Sequence, residues 1–182
     1  MPLPTGLRSS LRSLRRSLGF IALTALVGVG TFVAMDERVP ATGSNLVGNA
    51  RVIDGDTLAI EGKRVRLHGI DAPESDQTCL DGGRRWPCGR RSTRALRDRV
   101  AGDTVRCVGD EEDRYGRLIA VCYADGTNLN AWMVEQGWAV AYRRYSTEFV
   151  GEERKAESAG AGVWRGRFVM PWEWRRGERT GG

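Results

Sequence analysis

One histidine and four cysteines limit the chemistry open to this chain of 182 residues. His68 stands alone, so a Ser-His-Asp or Cys-His arrangement has a single imidazole to draw on. No CxxC marks a structural zinc site. Chemistry therefore has to rest on carboxylates and guanidiniums. One stretch gathers them. Arg51-Val52-Ile53 is strand-like, Asp54-Gly55-Asp56 is a turn, and Thr57-Leu58-Ala59-Ile60 alternates. Glu61-Gly62-Lys63 turns the chain back into Arg64-Val65-Arg66-Leu67-His68. With the turn near residue 62, paired positions sum to about 124, which sets Asp56 level with His68 and one step from Arg66. Asp71 lies just past the strand end. Asp56 and Asp71 are then expected to meet, with Arg66 beside them and Glu74 on the following loop. Two carboxylates, a backbone carbonyl and water suit a hard divalent cation such as Ca²⁺. Without a cation the like charges would raise one another's pKa. Each acid alone also fits a turn, where Asp is common; it is the set that points to a site.

The elements that position this set follow from periodicity. Leu58 and Ile60 share one strand face, and Val65 and Leu67 point inward on the next, with Arg64, Arg66 and His68 outward. Pro73 ends any ladder. Residues 75–89 read as a Cys-, Gly- and Arg-rich loop, and residues 90–100 as a helix stopped by Ala101-Gly102. Strands around Cys107 and Cys122 flank the turn-like Asp113-Arg114-Tyr115-Gly116. Residues 129–136 and 149–161 read as helices, with a short apolar segment at 139–142 between them. Short strands interrupted by a helix predict a mostly β, α+β fold: a five-stranded OB-type barrel with about three packed helices.

Composition bounds the rest. The length is that of one ordinary domain, and 41% hydrophobic against 28% charged residues can build a core. The formal charge is +5, but residues 1–46 carry +3 of it, so basicity is weak evidence for a nucleic-acid surface. Residues 1–17 are Arg- and Ser-rich without an acid, and residues 18–35 hold no charge. This predicts a signal peptide or an N-terminal hydrophobic helix anchored in the membrane, followed by a linker at 36–46, a domain at 47–164 and an Arg/Trp-rich tail at 165–182. By either route the domain is expected on the periplasmic or extracellular face. Export makes disulfides plausible. Cys107 and Cys122 are symmetric about 114.5, inside the turn, which predicts a bridge across a hairpin. Cys79 and Cys88 would close the Gly- and Arg-rich loop.

Three motifs in order carry a resemblance. They are Val52-Ile53-Asp54-Gly55-Asp56-Thr57, then Arg66-Leu67-His68-Gly69-Ile70-Asp71-Ala72-Pro73-Glu74, then Asp113-Arg114-Tyr115-Gly116-Arg117. Together they resemble the staphylococcal nuclease family over about residues 47–164, with Asn128-Leu129-Asn130-Ala131, Glu135-Gln136-Gly137 and Ala141-Tyr142 continuing the match. The resemblance implies an OB-fold nuclease that needs Ca²⁺ and hydrolyses phosphodiester bonds in DNA and RNA; the chain itself is expected to be a monomer. By position, Asp56 and Asp71 match the metal carboxylates. Ala72 matches a Thr whose carbonyl binds the metal, so a side chain is lost but the carbonyl is kept. Arg66, Glu74 and Arg117 match the catalytic residues, and Arg114, Tyr115 and Tyr142 line the nucleotide pocket. Arg143-Arg144-Tyr145 does not keep the spacing of a second pocket tyrosine.

Several conspicuous residues have plainer readings. His68 is a rim or packing residue. Arg90, Arg94 and Arg97 share a helix face that is either a phosphate-tracking stripe or a solvated surface. Trp132 and Trp164 are expected in the core. Trp172 and Trp174, with Arg175 and Arg176, could stack bases or meet a membrane surface, and docking of the tail on the barrel is the more common outcome for such aromatics. The alternatives to an enzyme are a non-catalytic OB-fold module binding nucleic acid or a partner chain, and an inactive disulfide-stapled envelope domain.

Overall fold

Residues 44–181 are described in the computed structural model of the chain; the leader at 1–35 and most of the expected linker lie outside them. The strands are β1 (Ser44–Val52), β2 (Thr57–Ile60), β3 (Lys63–Leu67), β4 (Ile70–Asp71), β5 (Cys79–Asp81), β6 (Arg84–Trp86), β7 (Thr104–Glu112), β8 (Leu118–Ala124), β9 (Thr127–Asn128) and β10 (Val140–Ala141). The helices are α1 (Cys88–Val100), α2 (Leu129–Glu135), α3 (Val150–Ala159) and the short α4 (Pro171–Trp174).

The sheet runs β3-β2-β1-β7-β8-β9, and a further pairing of β3 with β8 closes its first five strands into a barrel of the OB type. That closing pair is parallel, with Val65 opposite Leu118 and Leu67 opposite Ala120. It brings the residue before Leu118, which is Arg117, alongside β3. A separate two-stranded ladder sets Val140 opposite Asp71 and Ala141 opposite Ile70. The N–H of Tyr142 extends it by donating to the Gly69 carbonyl at 2.8 Å.

The first hairpin turns one residue tighter than the sequence suggested. Thr57 faces Arg66 and Ile60 faces Lys63. Only Glu61 and Gly62 form the loop, both at positive φ (49° and 83°), the two-residue geometry that matches strand twist. Asp56 is consequently level with Leu67, not His68, and its carbonyl accepts the Leu67 N–H at 2.8 Å. Two further expectations change. The strand β1 begins at Ser44, inside the stretch read as linker, because residues 44–49 pair with residues 104–109, and a backbone ladder needs no apolar signal. The loop at 75–89 contains the hairpin β5–β6, turned by Gly82-Gly83, and α1 starts at Cys88, right after Pro87.

The core holds Leu58, Ile60, Val65, Leu67, Leu96, Val105, Leu129 and Met133, all at most 1% exposed. Burying such a side chain stabilises by about 1.5–3 kcal/mol. The strand β2 is buried on both faces, so its alternation does not mark an exposed side. Helix α1 lays Ser92, Leu96 and Val100 against the barrel at helical spacing. Asn130 of α2 is fully buried. Its Oδ1 accepts the Cys122 N–H at 3.0 Å, and its Nδ2 donates to the carbonyls of His68 and Ala120. One amide thus ties α2 to β8 and to the chain leaving β3. Trp132 and Trp164 are half-buried rather than fully enclosed. No described helix is long and apolar enough to cross a membrane.

Both expected disulfides are present, Cys79–Cys88 and Cys107–Cys122. Cys107 and Cys122 are direct partners across β7 and β8, and both are buried in the barrel. The double variant Cys107→Ala/Cys122→Ala is expected to lose about 3 kcal/mol, chiefly by freeing the unfolded chain. A lower urea midpoint in equilibrium unfolding reads this loss directly.

Candidate active site

The site begins in the tight turn before β2. The Asp56 N–H donates to Asp54 Oδ1 at 3.1 Å, so the turn is locked by its own side chain. Gly55 lets this turn press on the protein: a Cβ there would lie 2.1 Å from Ser92 Oγ and 2.6 Å from the Ala72 Cβ. Asp56 is consequently driven inward, 3% exposed. Asp71, in β4, is 0% exposed.

The two carboxylates converge on one guanidinium. Arg66 Nη1 donates to Asp56 Oδ1, and Arg66 Nη2 donates to Asp71 Oδ1 at 2.7 Å. Asp56 Oδ2 accepts the Ala72 N–H at 2.8 Å, so Ala72 touches the cluster through its backbone nitrogen. Thr57 Oγ1 donates to Asp56 Oδ1 at 3.2 Å and accepts from Arg117 Nη1 at 3.4 Å. The barrel closure thereby places Arg117 one hydroxyl away from Asp56. Asp113 aims Arg117, accepting from its Nε at 2.7 Å and lying 2.6 Å from its Nη2. Glu74 sits on the loop after β4 at the rim of the same cluster.

Burial dominates the electrostatics of Asp56 and pushes its carboxyl up to about 7, with Arg66 pulling the other way. Burial also works against the charge of Arg66, but Asp56 and Asp71 outweigh it and hold that guanidinium above its ordinary value. Burial likewise works to raise Asp113, and bonds from the Arg117 side chain and the N–H groups of Arg117 and Tyr115 more than offset it, leaving the carboxyl below its usual range.

The residues expected to line a nucleotide pocket fall into two groups. Arg114 and Tyr115 share the exposed turn before β8, with the Arg114 guanidinium 4.8 Å above the Tyr115 ring and the Arg117 guanidinium 5.5 Å above it. Tyr142 follows β10, its N–H bonded to the Gly69 carbonyl, and one face of its ring is covered by Trp172 in a parallel stack at 5.3 Å. His68 is engaged through its backbone, its N–H donating to the Ala120 carbonyl and its carbonyl accepting from Asn130 Nδ2. Arg94 pairs with Asp98 on the open face of α1.

Sequence reasoning missed one participant. Arg175, from the tail, donates from Nη1 to Asp71 Oδ1 at 3.1 Å and from Nη2 to Asp71 Oδ2 at 2.8 Å, and Nη1 also reaches Glu74 Oε1 at 2.6 Å. No local motif marks it; a distance of 104 residues separates it from Asp71.

A metal fits part of this arrangement. Among the described residues no three His, Cys, Asp or Glu side chains form a metal centre by themselves. Asp56 and Asp71 do already share a cation, and their hard oxygens suit Ca²⁺ completed by a carbonyl and water. Both Asp71 oxygens are engaged by arginines, so a bound metal would take over at least one of those contacts.

A family model described as staphylococcal nuclease homologue matches residues 64–166, more than half of the chain. The chain belongs to the staphylococcal nuclease family. It is 34% identical to the micrococcal nuclease of Shigella flexneri over 177 residues, covering 87% of this chain and 97% of that protein. It is 42% identical to the succinoglycan biosynthesis protein ExoI of Rhizobium meliloti over 124 residues, 66% of this chain and 65% of that protein. It is 34% identical to the probable staphylococcal-like nuclease CAN1 of Oryza sativa subsp. japonica over 150 residues, 81% of this chain but only 42% of that protein. The staphylococcal nuclease match includes Arg66, Asp71, Glu74, Arg117 and Tyr142; Asp56 precedes it and Arg175 follows it.

The shared guanidinium makes a direct prediction. Arg66→Met leaves two buried carboxylates facing each other and should destabilise the chelator-treated protein by about 3–5 kcal/mol. Millimolar Ca²⁺ should return part of that loss in urea unfolding, because it again sets a cation between them.

Proposed function

We propose that this chain is a Ca²⁺-dependent nuclease that hydrolyses phosphodiester bonds of DNA, RNA or both. The observation carrying this reading is the convergence of Asp56, Asp71, Arg66, Glu74 and Arg117 on one rim of the barrel. Two buried carboxylates facing one cation favour this reading over a module that only binds nucleic acid. Family membership supports the same reading, as does the likeness to a micrococcal nuclease.

Asp56, Asp71 and the carbonyl of Ala72 would hold the metal. When bound, the ion supplies Lewis-acid stabilisation of a phosphoryl oxygen. Glu74 takes a proton from the attacking water as its oxygen approaches phosphorus. The bond to the 5′ oxygen breaks in line, leaving a 3′-phosphate, the pattern the family resemblance implies. Arg66 and Arg117 face the charge that grows on the equatorial oxygens, and they stabilise it more than the ground state. Asp113 keeps the Arg117 fork from swinging free. Tyr115 and Arg114 on one side and Tyr142 on the other flank the place where a nucleotide would lie.

The chain is proposed to work outside the inner membrane, as a monomer. The two disulfides support that compartment, since such bonds persist where the surroundings oxidise. The N-terminal segment would anchor it there or direct its secretion.

Single-stranded DNA digestion tests the reading. Glu74→Gln and Arg117→Ala should each lower kcat by about 10²- to 10³-fold with the fold retained. A chelator should abolish cleavage; cleavage that survives it removes the metal from the mechanism. Calcium at about 100 times its Kd should stabilise the wild type by about 2.7 kcal/mol. Asp71→Asn should lose that gain in a thermal melt.

A further inference from the structure

The C-terminal segment is built into the barrel at several points. Arg167 and Leu80 exchange both backbone hydrogen bonds, at 2.8 and 2.9 Å. Gln77, fully buried, donates from Nε2 to the Val169 carbonyl at 2.7 Å. Trp174 is buried, donates its Nε1–H to Asp76 at 3.3 Å and carries the Arg179 guanidinium 3.9 Å above its ring. Trp172 lies flat on Tyr142. The partner segment is itself restrained, because the Cys79–Cys88 disulfide ties β5 to the start of α1. Gly89 in that helix passes so close to the loop that a Cβ would lie 1.7 Å from the Glu74 carbonyl oxygen. Arg175 thus leaves a fixed scaffold and reaches a fixed loop.

We propose that Arg175 is a positioning residue of the active site, holding Glu74 in register with Asp71. This rests on the nuclease reading above and adds to it a residue outside the family match. The geometry is specific. One nitrogen of the fork, Nη1, bridges Glu74 Oε1 and Asp71 Oδ1, while Nη2 takes Asp71 Oδ2. A planar fork bonded to two carboxylates fixes their relative orientation, which a lysine point charge does not. Glu74 needs such a restraint, since its side chain is 36% exposed on a loop and would otherwise sample several rotamers. Pinning Oε1 leaves Oε2, which accepts no hydrogen bond from the described residues, to take the proton from water. Asp71 and its neighbour Asp56 are the proposed metal carboxylates, so the same fork sets the base at a constant place relative to the metal. Arg175 also adds a positive charge beside them, so its loss should favour metal binding while impairing turnover.

That opposition defines the experiment. Arg175→Ala, Arg175→Gln and Arg175→Lys are compared with wild type, with Glu74→Gln as the inactive reference and the exposed neighbour Arg176→Ala as control. Four quantities are measured: kcat and KM on single-stranded DNA, Ca²⁺ affinity by calorimetry without DNA, and the melting temperature. Arg175→Ala should lower kcat by about 10- to 100-fold with KM changed less than about threefold. Its Ca²⁺ affinity should be unchanged or tighter by up to about tenfold. Arg175→Lys should recover little. Guanidinium ion at tens of millimolar should restore part of the Arg175→Ala rate where sodium chloride of equal ionic strength does not, and Arg176→Ala should match wild type.

Unchanged kcat in Arg175→Ala and Arg175→Gln overturns the proposal. So does a rise in both kcat and Ca²⁺ affinity, which would make Arg175 a plug that competes with the metal. A joint fall of kcat, Ca²⁺ affinity and melting temperature without guanidinium rescue assigns Arg175 to anchoring the fold alone, and also overturns it. A wild type that cleaves no faster than Glu74→Gln removes the nuclease reading itself, and that failure shows before any Arg175 variant is compared.

Discussion

Two carboxylates buried side by side repel each other, and each gives up hydration worth several kcal/mol on leaving water. Asp56 and Asp71 are in that position, nearly or wholly shut off from solvent. Such a pair persists only with cations and donors at hand. Arg66 bridges the two, the Ala72 N–H and the Thr57 hydroxyl satisfy Asp56, and Arg175 takes both oxygens of Asp71. Burial still pushes the Asp56 carboxyl upward despite this company. A cluster so dependent on positive charge is poised to accept a further cation or to present its guanidiniums to a phosphate.

The barrel is the device that maintains this proximity. The two-residue turn at Glu61-Gly62 sets the register that brings Asp56 near Arg66. The parallel closure of β3 on β8 carries Arg117 across to Thr57. The small ladder of β4 with β10 fixes the backbone of Asp71 opposite Val140 and sets Tyr142 against Gly69. Glu153 of α3, 3% exposed, accepts the Ala141 N–H at 2.9 Å and so secures that ladder from behind. Arg66 and Asp71 therefore stand on strands held at two or more places, as precise positioning requires.

The C-terminal segment changes the extent of the site. A reading confined to the barrel motifs ends before residue 165, yet α4 stacks Trp172 on Tyr142 and delivers Arg175 to Asp71 and Glu74. The Arg175 contacts join parts of the chain 101 and 104 residues apart. The guanidinium of Arg175 is held above its ordinary value because the bonds to Asp71 and Glu74 outweigh the effect of burial. The tail belongs to the electrostatics of the cluster as fully as the strands do.

Local sequence was enough to determine most of the barrel's elements and much of the chemistry. Alternation exposed the strands of the first hairpin, the symmetry of Cys107 and Cys122 about their turn disclosed the bridge, and the motif order from Asp56 to Arg117 named the family and most of the side chains that converge. These signals are legible because each arises from neighbours in the chain: a face, a turn, a spacing. Tertiary structure alone decided what depends on contact between distant segments. It set the hairpin register one residue from the expected one, covered both faces of β2, turned the Cys/Gly/Arg loop into a hairpin and brought Arg175 into the carboxylate cluster. An arginine in a polar tail looks like any other until the fold places it against a buried acid, since its partner is chosen by packing and not by spacing.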